Sequence, residues 1–377
     1  MIINELNVSA PGRICLFGEH QDYLGLSVIT AAINLRISIT GKKRNDRKFY
    51  LDLPDIGSQE EFDLEKPITY IKERDYFRSS VNVLLRQNMT LPHGYDCTVH
   101  GNIPINSGTS SSSALVIAWI KFLLTIASDK RQSNPLEIAR LAYQAEVLEF
   151  NEPGGMMDHF AASFGSILHI DFGIADGLQL SLPAKLGHFV LGDSLQPKDT
   201  KGILARVKDR TLNAMKILSE ENKHLKIRTL SHEELEYYKA LISQEQYELL
   251  KGNITNHKLT QQAKKLLQQE TVDHKKLGRL LNAHQNELRD QLRISTPKID
   301  RMIDAALKAG AFGAKINGSG GGGCMFAYAP ENYEQVAEAI KLAGGKPYII
   351  QVDEGAMVEP LKYVISENEP ENALSND

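Results

Sequence analysis

The sequence predicts an α+β fold of two domains that share a cleft, and three observations carry that expectation. The chain has 377 residues, more than one hydrophobic core usually serves. Apolar, β-branched runs between Ile14 and Phe172 alternate with a few helical stretches, and a second set of strands begins at Gly187. Residues from about 205 to 308 carry leucines at helical spacing with few β runs. The expected division is therefore 1–186 and 187–366, followed by an acidic tail, 367–377, too poor in apolar residues to pack.

Composition narrows the function classes. Hydrophobic residues make up 42% and charged residues 24%, as in globular proteins generally, and the formal net charge is −4. That balance, without a basic stripe, predicts no nucleic-acid partner. No apolar run is long enough to span a membrane, and Met1 to Ser9 lacks the apolar core of a signal peptide. Cys15, Cys97 and Cys324 are far apart and have no metal-ligand spacing, which fits a reducing cytoplasm. Monomer and dimer are both open.

Asn7 to Arg13 leads into Ile14–Phe17, a short apolar run that reads as a buried strand. The loop Gly18 to Gly25 then crowds Glu19, His20 and Asp22 between two glycines. Such groups are costly in a core and are expected to face a cleft, where they could accept from and donate to the hydroxyls of a polyol. An ordinary solvated loop is the plainer alternative, and the spacing lacks the geometry of common zinc motifs. Ser27 to Ile39 reads as one or two strands, and Lys48 to Glu73 as a charged, loop-rich stretch with edge strands around Phe49 to Leu51. Asp75 to Gln87 has the apolar spacing of an amphipathic helix, and Tyr95 to Ile103 reads as a strand closed by Pro104.

Next comes Asn106-Ser-Gly-Thr-Ser-Ser-Ser-Ser-Ala114, where a loop turns into an apolar helix from about Ser112 to Ala127. A helix start has unpaired N–H groups and a partial positive charge, so it suits an anion. Gly108 allows close approach, and the serine hydroxyls can cap the helix, donate to phosphate or ligate a metal. A serine-rich cap on a buried helix explains the same residues. Pro135 to Phe150 reads as a helix whose C-terminal end carries Glu146 and Glu149, a poor place for carboxylates unless a cation or solvent offsets the dipole. Asp158 opens the helix after Pro153-Gly-Gly155, as a cap or as a base in a cleft. Ser166 to Phe172 returns as a strand, and Ser194 to Lys201 is a polar loop before a helix from about Gly202. Gly318-Ser-Gly-Gly-Gly-Gly323 joins strands Gly313–Asn317 and Cys324–Tyr328. It opens no helix, so it is not a dinucleotide fingerprint, and it has more glycine than a hairpin needs. Close approach by a ligand or another backbone segment is expected there. Tyr333 to Leu342 reads as a helix and Lys346 to Val352 as a last strand.

Taken together, Ala10 to Tyr23, Pro104 to Ala114, Ala145 to Phe160 and Lys315 to Cys324 resemble the GHMP kinases, most of all galactokinase. The helix expected over Leu277 to Asp300, with His284, resembles a galactokinase segment as well. The resemblance implies a ribosomal-protein-S5-like N-terminal domain, a ferredoxin-like C-terminal domain and an active site in the interdomain cleft. It implies an ATP- and Mg²⁺-dependent transfer to the anomeric hydroxyl of a sugar, galactose first. By that resemblance Asp158 is the catalytic aspartate, steadied by Arg13, while Glu19, His20, Asp22 and Gly155 contact the sugar. Asn106, Ser107, Gly108, Thr109, Ser110, Ser111, Ser112 and Ser113 belong to the nucleotide's phosphate loop, with Ser112 and Glu146 on the metal. Asn106 and Thr109 depart from the usual residues of that loop, as do Cys15, Leu24 and Leu26 from the first motif, and Gln196 to Leu204 resembles a mevalonate kinase segment. Galacturonate or another sugar, a heptose phosphate and mevalonate are thus alternative acceptors, and Lys198 or Lys201 could meet a carboxylate. Outside the class stands a silent sugar sensor, against which the intact Arg13, Asp158, Glu146 and serine loop speak.

Overall fold

A computed structural model describes residues 3–104, 108–152, 154–174, 177–197, 200–269 and 271–359. Asn106, Ser107, Lys198, the Lys201 side chain and the tail 367–377 lie outside the described residues.

The frame is a long antiparallel pair, β1 (Glu5–Phe17) and β2 (Ser27–Lys43). β2 is one continuous strand of 17 residues. Its register with β1 shifts between Pro11 and Gly12, a bulge immediately before Arg13. Bulges re-aim the side chains that follow them, and this one sits at the cleft. A hairpin follows, β3 (Lys48–Leu53) and β4 (Ser58–Asp63). Then come α1 (Tyr76–Arg86), β5 (Tyr95–Gly101), α2 (Ser111–Ile126), α3 (Pro135–Tyr143), α4 (Met157–Phe164), β6 (Ile167–Asp171) and β7 (Leu178–Leu182). The sequence hides β4, because one of its two inward positions is Glu60; there the carboxylate meets Arg78 at 2.8 Å, and Lys72.

The second half contributes β8 (His188–Asp193), then the helices α5 (Thr200–Leu204), α6 (Arg210–Glu221), α7 (His232–Tyr237), α8 (Gln244–Leu267), α9 (His274–Asp290) and α10 (Pro297–Lys308). After them come β9 (Gly313–Ile316), β10 (Cys324–Tyr328), α11 (Tyr333–Leu342), β11 (Lys346–Gln351) and β12 (Met357–Glu359). The second sheet has the order β11-β8-β10-β9, all antiparallel. The first has the order β12-β1-β2-β5-β3-β4, with β6 on β2 and β7 on β6. β12 therefore crosses back from the second half to pair with β1.

α2 is apolar on nearly every side and lies at the centre of the first core. Trp119 stacks on Phe122 at 5.5 Å and meets Phe49 and Phe77 edge-on, while its indole N–H donates to Phe77 O at 3.1 Å. Each such ring, fully buried, contributes roughly 1.5–3 kcal/mol by removal from water. Ile14, Leu16 and Phe17 of β1 pack into one cluster with Phe189, Leu191, Phe326 and Tyr328 of the second sheet and with α8 and α9. A single core thus joins the two sheets at the half of β1 that carries Arg13 and leads into the loop Gly18 to Gly25.

Candidate active site

A cavity of about 240 Å³ lies where the halves meet. Arg13, Glu19, His20, Asp22, Ser112, Ser113, Glu146, Gly155 and Asp158 all line it, so expected site residues from three of the four resembling stretches meet there. Gly318, Ser319 and Leu204 close it from the second half.

Asp158, in the first turn of α4, is the most constrained carboxylate of the site. Arg13 Nε donates to its Oδ1 at 2.8 Å, Arg13 Nη2 lies 2.7 Å from the same oxygen, and the Ser110 hydroxyl donates to Oδ2 at 2.6 Å. Burial alone would raise its pKa, but the Arg13 charge and the Ser110 hydrogen bond outweigh it and hold the carboxyl below its ordinary value. Asp158 is therefore ionised at neutral pH. Ser110, expected in the phosphate loop, turns its hydroxyl to the aspartate, and as the residue before α2 its side chain makes no capping bond. Its φ of 61° is left-handed, a conformation rarely held by a serine without surrounding support. That support is the loop itself: Arg13 N donates to Thr109 O at 3.1 Å, and Gly108 O accepts from Arg13 Nη1 at 2.5 Å and from Asn317 Nδ2 at 2.9 Å.

Asp22 sits on a short 3₁₀ turn, Asp22–Leu24. Its Oδ1 accepts from Tyr23 N at 2.9 Å. A Cβ at Gly155 would collide with its Oδ2, so only glycine leaves room for the carboxylate. Burial raises the Asp22 pKa, the negative charge of Asp158 adds to that, and the Tyr23 N–H partly opposes them. Glu19 borders the cavity but is 1% exposed; it pairs with Lys315. His20 has Nδ1 3.0 Å from Tyr23 Oη and Nε2 3.0 Å from Ser319 O.

The helix expected over Pro135 to Phe150 changes pitch. After α3 the residues Gln144–Leu148 form one π turn, with Glu149 N donating to Gln144 O at 3.0 Å. Such turns often occur at functional sites, and this one carries Glu146, buried at the cavity wall. His159 Nε2 lies 2.7 Å from Glu146 Oε2. Glu149, by contrast, pairs with Arg86 and accepts from Tyr70 Oη at 2.7 Å, outside the site. Ser112, in the first turn of α2, is exposed to the same cavity.

The glycine-rich loop answers the question its composition raised. A Cβ at Gly322 would lie 2.7 Å from Pro197 O, and Gly321 N donates to Ile294 O at 2.8 Å. The close approach is thus by other backbone segments. Cavity residues that the sequence did not single out are Arg74 and Glu152, bonded through Nε–Oε1 at 2.8 Å and Nη2–Oε2 at 2.7 Å, and His159. Asn317, which joins the phosphate loop to Cys15 N, was missed as well. Arg74 and Glu152 are far apart in sequence and gave no signal; Asn317 stood next to the glycine run and could have been found.

Residues 4–43 match the galactokinase galactose-binding signature, 75–166 the GHMP kinases N terminal domain and 263–346 the GHMP kinases C terminal family. A mevalonate kinase of Thermococcus onnurineus is 30% identical over 366 residues, 93% of this chain and 97% of that protein. A galactokinase of Actinobacillus succinogenes is 28% identical over 340 residues, 87% of this chain and 86% of that one. The crystal structure of Lactococcus lactis galactokinase complexed with galactose superposes with a TM-score of 0.81 at 25% identity, covering 94% of this chain and 95% of that one. With these matches spread over both halves and the cleft between them, the chain belongs to the GHMP kinases, phosphotransferases that act on the hydroxyl group of an acceptor.

Proposed function

We propose that the chain transfers the γ-phosphoryl group of ATP to the anomeric hydroxyl of a sugar, with galactose as the first candidate. The observation that carries this reading is the ionised Asp158, held by Arg13 and Ser110 in a cavity it shares with Asp22 and Gly155. Phosphoryl transfer is mostly positioning and charge neutralisation. Arg13 and the start of α2 supply positive potential on the phosphate side. Asp158 orients the attacking hydroxyl and, as a weakly basic carboxylate, receives its proton as the bond to phosphorus forms. Asp22, whose charge burial and Asp158 disfavour, gains most from hydroxyl donors, which a polyol provides.

Ser112 and Glu146 both bring hard oxygens to the cavity lining, and Mg²⁺ commonly takes one or two such protein ligands with phosphates and water completing its shell. The pair fits the ion. When bound there with ATP, Mg²⁺ would neutralise charge on the phosphates.

Mevalonate is the second reading, favoured by the Thermococcus relative. A carboxylate acceptor calls for an available cation. Among the described cavity-lining residues there is no lysine, and the two arginines already pair, Arg13 with Asp158 and Arg74 with Glu152. Lys208, 5.5 Å from the Tyr23 ring, nonetheless sets a cation beside the loop that carries Asp22, so mevalonate stands as the alternative acceptor. The deciding experiment measures ADP release from Mg²⁺-ATP with galactose, galacturonate, glucose, a heptose phosphate and mevalonate, in the unaltered chain and in Asp158→Asn. Turnover on galactose that falls about 10²–10⁴-fold in the variant is expected. Turnover on mevalonate alone would overturn the sugar reading, and silence on every acceptor would leave a sensor.

A further inference from the structure

A polyphosphate tail brings several negative charges into the cavity, yet the lining is itself acidic. Against Glu19, Asp22, Glu146, Glu152 and Asp158 stand two guanidinium groups among the described lining residues, those of Arg13 and Arg74. Arg13 is committed: it is 4% exposed, Nε and Nη2 hold Asp158, and Nη1 donates to Gly108 O. Arg74 is not. Its side chain is 48% exposed, Nε and Nη2 are taken by Glu152, and among the described residues nothing accepts from Nη1. A guanidinium carries five N–H groups, so three are left over, in the planar fork that suits phosphate oxygens.

The backbone holds this side chain at the cavity. The φ of Arg74 is 56°, in the left-handed region, where glycine would sit without strain and a long side chain is rare. Tyr76 N donates to Arg74 O at 2.8 Å across that tight bend, immediately before α1. On the other side of the ion pair, Glu152 N donates to Val147 O at 3.0 Å, which ties Glu152 to the π turn that carries Glu146. The Arg74 pKa is raised by the Glu152 hydrogen bonds first and, against burial, by nearby charges that include Glu146. Arg74 is therefore within electrostatic reach of the carboxylate given above to the metal. We propose that Arg74 is a ligand of the terminal phosphates of the nucleotide: Glu152 fixes the plane of the guanidinium through two parallel hydrogen bonds, and the remaining donors bond non-bridging oxygens at the β–γ end of ATP. Glu152 is then a positioning residue. The inference rests on the ATP reading above and is independent of whether the acceptor is a sugar or mevalonate.

The test is equilibrium binding of AMP, ADP and the β,γ-imido analogue of ATP in the presence of Mg²⁺, to the unaltered chain, Arg74→Gly and Arg74→Lys. Glycine removes the guanidinium and relieves the backbone, so the unfolding midpoint is expected to stay within about 3 °C, as for the loss of a half-exposed ion pair. The quantity to read is the gain in affinity from AMP to the imido analogue. In Arg74→Gly that gain is expected to shrink by about 10–100-fold, the worth of one or two charge-assisted hydrogen bonds. Arg74→Lys keeps the charge and loses the fork, and is expected to fall between the two. ADP locates the contact: a loss shared with ADP puts it on the β-phosphate, a loss absent from ADP on the γ-phosphate. An unchanged gain in Arg74→Gly overturns the assignment, whether both ligands weaken equally, as a merely structural arginine predicts, or neither does. If Arg74→Gly does not fold, the same ratio in Arg74→Lys decides, a fall of at least about threefold supporting the ligand and an unchanged ratio overturning it. No affinity for any of the three nucleotides in the unaltered chain would overturn the ATP reading, and this assignment with it.

Discussion

At the scale of single residues, the site works by pitting burial against charge. Asp22 and Asp158 share one cavity, and their pKa values are driven apart: burial prevails at Asp22, whereas Arg13 and Ser110 prevail at Asp158. Ser110 offers a direct test of this balance. Its hydroxyl donates at 2.6 Å to the charged form of Asp158, so Ser110→Ala removes a bond that only the ionised carboxylate enjoys. The Asp158 pKa must then rise. If Asp158 has to be ionised for turnover, the acid limb of kcat/KM against pH moves to higher pH, by roughly half a unit to one unit. A limb that stays in place would mean that another group sets it. That Arg13, Asp158 and Asp22 come to one cavity was legible from the resemblance of their motifs and, for Asp22, from polar groups crowded between two glycines. The partner of Glu19 was not, since a lysine 296 positions away in a short strand looks like a surface residue.

At the scale of elements, legibility followed how cleanly one face was apolar. α1, α2 and α11 were readable from their apolar pattern and flanking residues, and the observed bounds fall close to those expected, whereas the helix expected over Leu277 to Asp300 divides into α9, ending at Asp290, and α10, opening at Pro297. β4 was not readable, because an inward glutamate neutralised by Arg78 breaks the apolar alternation that marks a strand. β12 was invisible for a different reason: three residues carry too little pattern, and what holds them is tertiary. Arg36, on β2, reaches Asp353 Oδ2 at 2.8 Å, Glu354 O at 3.0 Å and Gly355 O at 2.8 Å, and also donates to Ser9 Oγ at 2.8 Å. One guanidinium thus fastens the returning segment. Arg36→Ala is expected to lower unfolding free energy by roughly 2–3 kcal/mol, since it removes several bonds to a charged donor. Urea unfolding reads this out, and a loss under about 0.5 kcal/mol would show that β12 is held by its strand pairing alone.

For the whole molecule, the interface between α8 and the first sheet makes stability depend on pH. His169 on β6 is 1% exposed, and neither ring nitrogen has a hydrogen-bond partner in the described structure. Lys264 and His257 on α8, and Arg228 with Asp171, surround it electrostatically. Burial first, and Lys264 next, lower its pKa from 6.5 to about 4. An unfolded chain would therefore bind a proton that the folded one refuses. The stabilisation is complete above about pH 6.5 and is lost progressively as pH falls toward 4. His257 is shifted the same way by burial. Unfolding free energy measured from pH 7.5 to 5 should fall, and His169→Gln should flatten that slope; an equal slope in the variant would clear His169 of the effect.

The return of β12 bears on how such a chain can be made. Asn7 and Glu359 are joined by a hydrogen bond of 3.1 Å across 352 positions. Elongation at the ribosome is directional, so β1, which carries Arg13, emerges before β12, and the edge that β12 covers waits while the described residues between them are translated. Pairings of this span close late, and an open strand edge waiting for its partner is where a nascent chain is most exposed to pairing with another copy.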